Sequence, residues 1–299
     1  MQSKVLRILG NQFFVDQDYF YPGASYIYFA NQKQLKLILT ARTKNNFSFL
    51  LSLDVDLASM IGTASKPIIS LGAKDSFDEN GISYPCIFEF NNQKYLFYTG
   101  WSLRTNNPFK NTLGYSRFGD EINKIGPLSI IKDKGFITEI GSMDIFKFQN
   151  SNYMFFTKFD KWDGHNPRYS IRVAKSEGIS TWTLDRSFNL NKINELSSMV
   201  SRPSIVRYQS QYLIFFCYRE KNLDYKIGLA QSSNFFSWKL ISKDVFKNLD
   251  LESWCKEGQA YPHAIYNSEQ NVFYLFFAGN SYGKDGFGLL NLSPSEVGL

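Results

Sequence analysis

An all-β fold is predicted from three observations in the sequence. Aromatic residues fill 17% of the 299 positions, with 28 Phe, 18 Tyr and 5 Trp, and such side chains favour pleated, half-buried surfaces. No stretch of useful length joins helix caps to a 3.6-residue apolar period. One pattern also returns at an almost constant interval: an apolar strand follows a small residue or proline, a few polar residues intervene, and a second strand begins near a Tyr. Its anchors are Pro85, Met143, Pro203 and Pro262, which gives steps of 58, 60 and 59 residues. One more step back from Pro85 lands near Tyr26. Small sheets repeated at a fixed period read as propeller blades. The prediction is one five-bladed β-propeller domain over residues 1–299, with about four antiparallel strands in each blade. A β-sandwich or a two-domain β protein is the alternative. The register of Tyr95, Tyr153, Tyr212 and Tyr274 in the second strands argues against it.

Each unit can be justified in turn. The first holds SYIYFANQKQLKLILTAR from Ser25 and NFSFLLSLDVD from Asn46. The second holds SYPCIFEFNNQKYLFYTGW from Ser83 and NTLGYSRF from Asn111. The third runs from SMDIFKFQNSNYMFFTKF at Ser142 through YSIRVAKSE at Tyr169 to STWTL at Ser180. The fourth runs from SRPSIVRYQSQYLIFFCYR at Ser201 through YKIGLAQSS at Tyr225 to FSWKL at Phe236. The fifth holds AYPHAIYNSEQNVFYLFFAGN from Ala260 and DGFGLLNL from Asp285, and stops after its third strand. Alternation, β-branched and aromatic content, and Asn, Gly and Ser turns mark these strands. KVLRIL, Lys4 to Leu9, is expected to supply the missing strand and close the ring, which removes an exposed edge. Trp182 and Trp238 occupy equivalent repeat positions and are expected to pack between sheets.

Composition excludes several function classes. The net charge of +6 is mild and spread out, with no basic cluster for nucleic acid. Cys86, Cys217 and Cys255 are odd in number and widely spaced, which suits reduced intracellular thiols and not a disulfide frame or zinc site. Two histidines leave little material for a metal site or a serine triad, and His165 in DGHNP reads as a turn residue. GNSYGKDGFG from Gly279 precedes no helix, so a nucleotide loop is not indicated and no cofactor is expected. No segment has signal-peptide or membrane-span character, and a cytoplasmic location is the expectation.

In a propeller, the starts of the innermost strands converge on one channel mouth. Polar residues concentrate there: Asp78 and Glu79 in the second unit, Glu139 and Asp144 in the third, Arg202 in the fourth, and Glu257, Tyr261 and His263 in the fifth. The turns after the second strands add Arg42, Trp101, Lys158, Arg219 and Asn280. Two carboxylates facing each other across a sugar are the working parts of glycoside hydrolysis. Arginines hold carboxylates or phosphates by paired hydrogen bonds, and Trp101, Trp162 and Tyr282 suit the apolar faces of sugars. Duller roles exist for each. Asp78 and Glu79 fit a solvated turn, Glu257 fits an ion pair with Arg202 or Lys256, and His263 fits a hydrogen-bonded channel position.

The run SRPSIV…YLIFFCYR…YKIGLAQSS…W, with SWCKEGQAYPHAI…FYLFFAGNSYGKDGFGLL, resembles five-bladed propeller proteins grouped with glycoside hydrolase families 43 and 32. FDENGISYPCIF…KYLFYTGW and LILTAR…FSFLLSLD also fit, so the resemblance spans nearly the whole chain. It implies a propeller fold, a carbohydrate ligand, and a link to bacterial surface-polysaccharide biosynthesis. Asp144 stands near the family's third-blade acid, and Glu257 matches an acid that related proteins carry before Tyr-Pro. The first blade departs: GASYIYF carries no acid, Asp16 and Asp18 lie upstream, and Cys255 replaces an acid after the Trp.

The leading expectation is a glycoside hydrolase-like enzyme acting on a sugar or sugar conjugate. Glu79 and Glu257 would form the acid/base pair, Asp144 would orient or stabilise charge, and Arg42, Arg202 and Arg219 would hold an anionic group. The alternatives are a non-catalytic carbohydrate-binding or assembly module, and a sugar or acyl transferase. Acids flanking one pocket favour hydrolysis, whereas scattered acids favour binding.

Overall fold

The structure is a computed structural model that describes residues 4–9, 19–20, 23–104, 108–119, 122–163, 166–220 and 223–299. Strands dominate it. Among the described residues, the helical elements are two four-residue helices, Asn191–Asn194 and Asn280–Gly283, and a 3-10 turn at Pro294–Val297.

After β1 (Lys4–Arg7) and β2 (Tyr19–Phe20), the strands follow one another as antiparallel meanders. The first comprises β3 (Ser25–Asn31), β4 (Gln34–Thr43), β5 (Ser48–Asp56) and β6 (Gly62–Pro67). The second comprises β7 (Gly81–Phe90), β8 (Gln93–Ser102), β9 (Lys110–Arg117) and β10 (Asn123–Leu128). A hairpin of β11 (Ile130–Lys132) and β12 (Gly135–Ile137) intervenes. The third comprises β13 (Ile140–Phe148), β14 (Ser151–Asp163), β15 (Asn166–Ser176) and β16 (Trp182–Asp185). Next come β17 (Val200–Tyr208), β18 (Gln211–Tyr218), β19 (Lys226–Ser232) and β20 (Lys239–Ser242). The last run is β21 (Ala260–Asn267), β22 (Val272–Ala278) and β23 (Phe287–Leu292). As expected, β1 completes this last sheet, pairing Lys4 with Asn291 and Arg7 with Gly288.

Local sequence explains the hairpins. Asn91 and Asn92, between β7 and β8, both adopt positive φ (50° and 61°), the backbone of a type I′ turn that matches strand twist. Core residues lie between sheets. Trp182 is fully buried, edge-on to Phe97 at 6.3 Å between ring centres, and Trp238 packs on Phe155 and Phe235. Phe148 stacks on Phe235 at 4.4 Å.

The first strands of the meanders pack side by side: β3 on β7, β7 on β13, β13 on β17, β17 on β21, and β21 on β3. A polar ring stitches them together. His263 Nδ1 accepts from the Ile27 N–H (3.2 Å), Ser204 Oγ from Ala264 N–H (2.9 Å), and Asp144 Oδ2 from Ile205 N–H (2.7 Å). The Cys86 thiol donates to Asp144 Oδ1 (3.7 Å), and Tyr26 rests on His263 at 4.3 Å.

Candidate functional site

Above that ring, each of β7, β13, β17 and β21 carries a bulge: between Ser83 and Cys86, Ile140 and Met143, Ser201 and Ser204, and Ala260 and His263. A bulge bends a strand and re-aims its side chains. Three residues at the same bulge position, Tyr84, Arg202 and Tyr261, adopt φ of 56°, 58° and 59°. The backbone N–H groups of Tyr84 and Arg202 are pinned to the neighbouring sheet by Thr40 Oγ1 (3.1 Å) and Thr157 Oγ1 (3.2 Å). Left-handed backbone is rare for such bulky residues and recurs at ligand sites.

The three side chains border a cavity of about 560 Å³. Arg202 lies with its guanidinium carbon 3.4 Å from the Tyr84 ring centre and 5.0 Å from that of Tyr261. Its buried Nε has no hydrogen-bond partner. Arg219 donates to the Tyr282 hydroxyl (2.9 Å) and to Met199 Sδ (3.2 Å), and lies over Tyr225 at 5.4 Å. Arg42 lies over Trp101 at 5.2 Å and donates to Asn46 Oδ1 (3.0 Å). The hydroxyls of Tyr169 and Tyr225 bond to each other in the same wall. Another wall is aromatic: Trp162 meets Phe109 at 5.2 Å and stacks on Phe159 at 6.1 Å. Ser83, Asn111, Thr157 and Ser201 add small polar groups. No carboxylate lines the cavity among the described residues, and none pairs there with Arg42, Arg202 or Arg219.

Of the residues singled out in the sequence, Arg42, Trp101, Trp162, Arg202, Arg219, Tyr261 and Tyr282 line this cavity. The others lie elsewhere. Glu79 accepts from Asp75 N–H (2.7 Å) within an exposed turn. Asp78 is buried and pairs with Lys124 at 2.5 Å. Glu257 is exposed, its backbone N–H held by Asn280 Oδ1 (3.0 Å). Asn280 also takes the Gly258 N–H and donates to the Ser253 carbonyl, so it clamps that loop. Lys158 pairs with Asp160 at 2.7 Å and borders a separate cleft of about 370 Å³ with Lys132, Arg172 and Arg186. Asp144 and His263 belong to the ring beneath. Burial pushes Asp144 up to about 7, against the hydrogen bonds from Ile205, Ile145 and Cys86. Burial pushes His263 down to about 3, which keeps it neutral with Nδ1 free to accept. Asp16, Asp18 and His165 lie outside the described residues. Tyr84, Phe109, Phe159, Tyr169 and Tyr225 join the site without having been singled out. Tyr84 carried a usable signal, since it sits one residue before an anchor proline, as Arg202 and Tyr261 do.

No family model matches the chain. Two uncharacterized proteins of Mycobacterium tuberculosis, from strains CDC 1551 and H37Rv, are each 25% identical over 272 residues, 85% of this chain and 86% of theirs. Among solved structures, a glycoside hydrolase superposes with a TM-score of 0.68 at 12% identity, covering 95% of this chain and 94% of its own. An alpha-L-arabinofuranosidase from Lactobacillus brevis gives 0.64 at 12% identity over 92% of both chains. A thermostable family-43 glycoside hydrolase gives 0.60 at 14% identity, covering 90% of this chain and 88% of its own. The chain therefore shares the fold of propeller-type glycoside hydrolases.

Among the described residues, no group of three or more His, Cys, Asp or Glu side chains is placed to hold a metal ion. Among the described residues, no helix is long and apolar enough to cross a membrane. The arrangement offers cations, phenols and aromatic faces to a ligand. It is chemically equipped to hold an anion beside an apolar ring.

Proposed function

We propose that the chain is one five-bladed propeller domain over residues 1–299, and that its mouth binds an anionic saccharide or sugar conjugate. The observation that carries this is a cavity bordered by Arg42, Arg202 and Arg219 with no carboxylate in its described lining. Unpaired guanidiniums in a partly dry site are costly until an anion arrives, and they fit carboxylate or phosphate oxygens in a planar fork. Trp101, Trp162 and Tyr282 supply faces for a sugar ring. The fold shared with glycan-cleaving enzymes favours a carbohydrate over other anions, although fold alone does not set chemistry. A ligand of surface-polysaccharide biosynthesis in the cytoplasm is the class implied by the family resemblance.

Hydrolysis by Glu79 and Glu257 is the second reading. It requires two carboxylates about 5 to 9.5 Å apart around the scissile bond. Neither glutamate lines the cavity and Asp144 is tied into the ring below it, so the geometry favours binding or group transfer. Thermal-shift and calorimetric titration with neutral and anionic saccharides test the choice. Anionic ligands should stabilise the protein, Arg219→Ala should weaken them about tenfold or more, and Glu79→Gln and Glu257→Gln should leave affinity within about twofold. Stabilisation by neutral saccharides alone would overturn the anion reading, and glycoside turnover lost in both glutamine variants would restore hydrolysis.

A further inference from the structure

We propose that the anion bound at the mouth is a phosphoryl group carried by a sugar, as a phosphomonoester or a diphosphate, seated where three guanidiniums gather around Tyr261. This rests on the anionic-saccharide reading above and names its charged part.

The gathering is visible in the contacts. Arg202 lies over the Tyr261 ring at 5.0 Å. That ring is 6.3 Å from the ring of Tyr282, whose hydroxyl accepts from Arg219 Nη1. Arg42, held over Trp101, lines the same cavity as Tyr261. Three positive charges thus share one neighbourhood, with no carboxylate of the described residues beside them.

Charge matching separates the candidate ligands. A sugar carboxylate brings one negative charge to each ring. It would neutralise one guanidinium and leave the others uncompensated in a partly buried site. A phosphomonoester concentrates about 1.5 to 2 charges and three acceptor oxygens on one centre, and a diphosphate brings more. Arg202 is built for this geometry. Tyr84 at 3.4 Å and Tyr261 at 5.0 Å hold its guanidinium, and its unpartnered, buried Nε leaves a donor available in the plane of the fork. Phe109, Phe159 and Trp162 form an aromatic wall of the same cavity and present an apolar face to the ring-bearing remainder of the ligand. A free phosphate ion would leave that wall unused.

Isothermal titration calorimetry of the full chain tests this with five probes at matched ionic strength: glucose 1-phosphate, UDP-glucose, inorganic phosphate, glucuronic acid and neutral maltose. Glucose 1-phosphate or UDP-glucose should bind at least about tenfold more tightly than both inorganic phosphate and glucuronic acid. Arg202→Lys, which keeps the charge and loses the planar fork, should weaken the better probe about tenfold or more. Arg42→Gln, at the cavity rim, should weaken it about fivefold and serves if Arg202→Lys does not fold. Glucuronic acid binding as tightly as the phosphorylated probes would overturn the phosphoryl assignment and leave the anionic site standing. Inorganic phosphate binding as tightly as either sugar probe would overturn the sugar-borne source. Binding of neutral maltose with no response to any anion would overturn both this assignment and the reading it rests on.

Discussion

Asp144 and His263 occupy the same ring, yet burial moves them in opposite directions, to about 7 and about 3. An unfolded Asp titrates near 3.9 and an unfolded His near 6.5. Asp144 therefore contributes stability below pH of about 4 that is lost as pH rises through about 7. His263 contributes stability above about 6.5 that is lost as pH falls toward about 3. Asp144→Asn should flatten the decline between about pH 4 and 7, and His263→Gln should flatten the acid-side decline below about 6.5. Urea midpoints over a pH series check both, and an unchanged slope in either variant counts against that assignment. At this scale the sequence was legible for the arginines and Tyr261, because a repeat position tells where a side chain starts. It was less legible for the glutamates. Glu79 folds back to cap its own turn and Glu257 follows a backbone held by Asn280, and such local hydrogen bonds leave no trace in spacing.

The strands most readable in the sequence are those that bury both faces against neighbouring sheets. β8, β18 and β22 are continuous apolar runs, and the sequence located each one. One detail shifted by a residue. Tyr95, Tyr153 and Tyr274 stand two places before the partners of Cys86, Asp144 and His263, whereas Leu213 holds that place in β18 and Tyr212 precedes it. Short outer strands such as β2, β6 and β12 went unrecognised, because edge positions tolerate polar, proline-bearing and irregular sequence. Trp182 was legible as a packing residue from its match with Trp238. It is fully buried against Phe97, so Trp182→Ala should cost about 3 to 5 kcal/mol, read as a fall in the denaturation midpoint. A fall below about 1 kcal/mol would mean that the intersheet contact is dispensable.

Across the whole molecule, the pairing of β1 with β23 ties the start of the chain to its end. The sequence pointed to this pairing because the last unit lacked an outer strand. Removing residues 1–9 should expose the β23 edge, lower thermal stability and raise concentration-dependent aggregation, measured by light scattering during a melt. A truncated chain that melts like the intact one would show that the edge tolerates solvent. The hydrogen bonds from β3 to β21, β21 to β17 and β17 to β13 all lie between different sheets. Sheets linked in that way should unfold together and not fray one by one, as open repeat arrays do.

Tyr84, Arg202 and Tyr261 carry one more consequence. Left-handed backbone at a bulky residue disfavours the native state by about 1 to 2 kcal/mol at each position. Glycine would relieve all three places and would also erase the cation clamp. A lineage selected only for heat resistance would drift toward glycine there. A lineage that must keep its ligand is held at a lower ceiling of stability by the same residues that receive it.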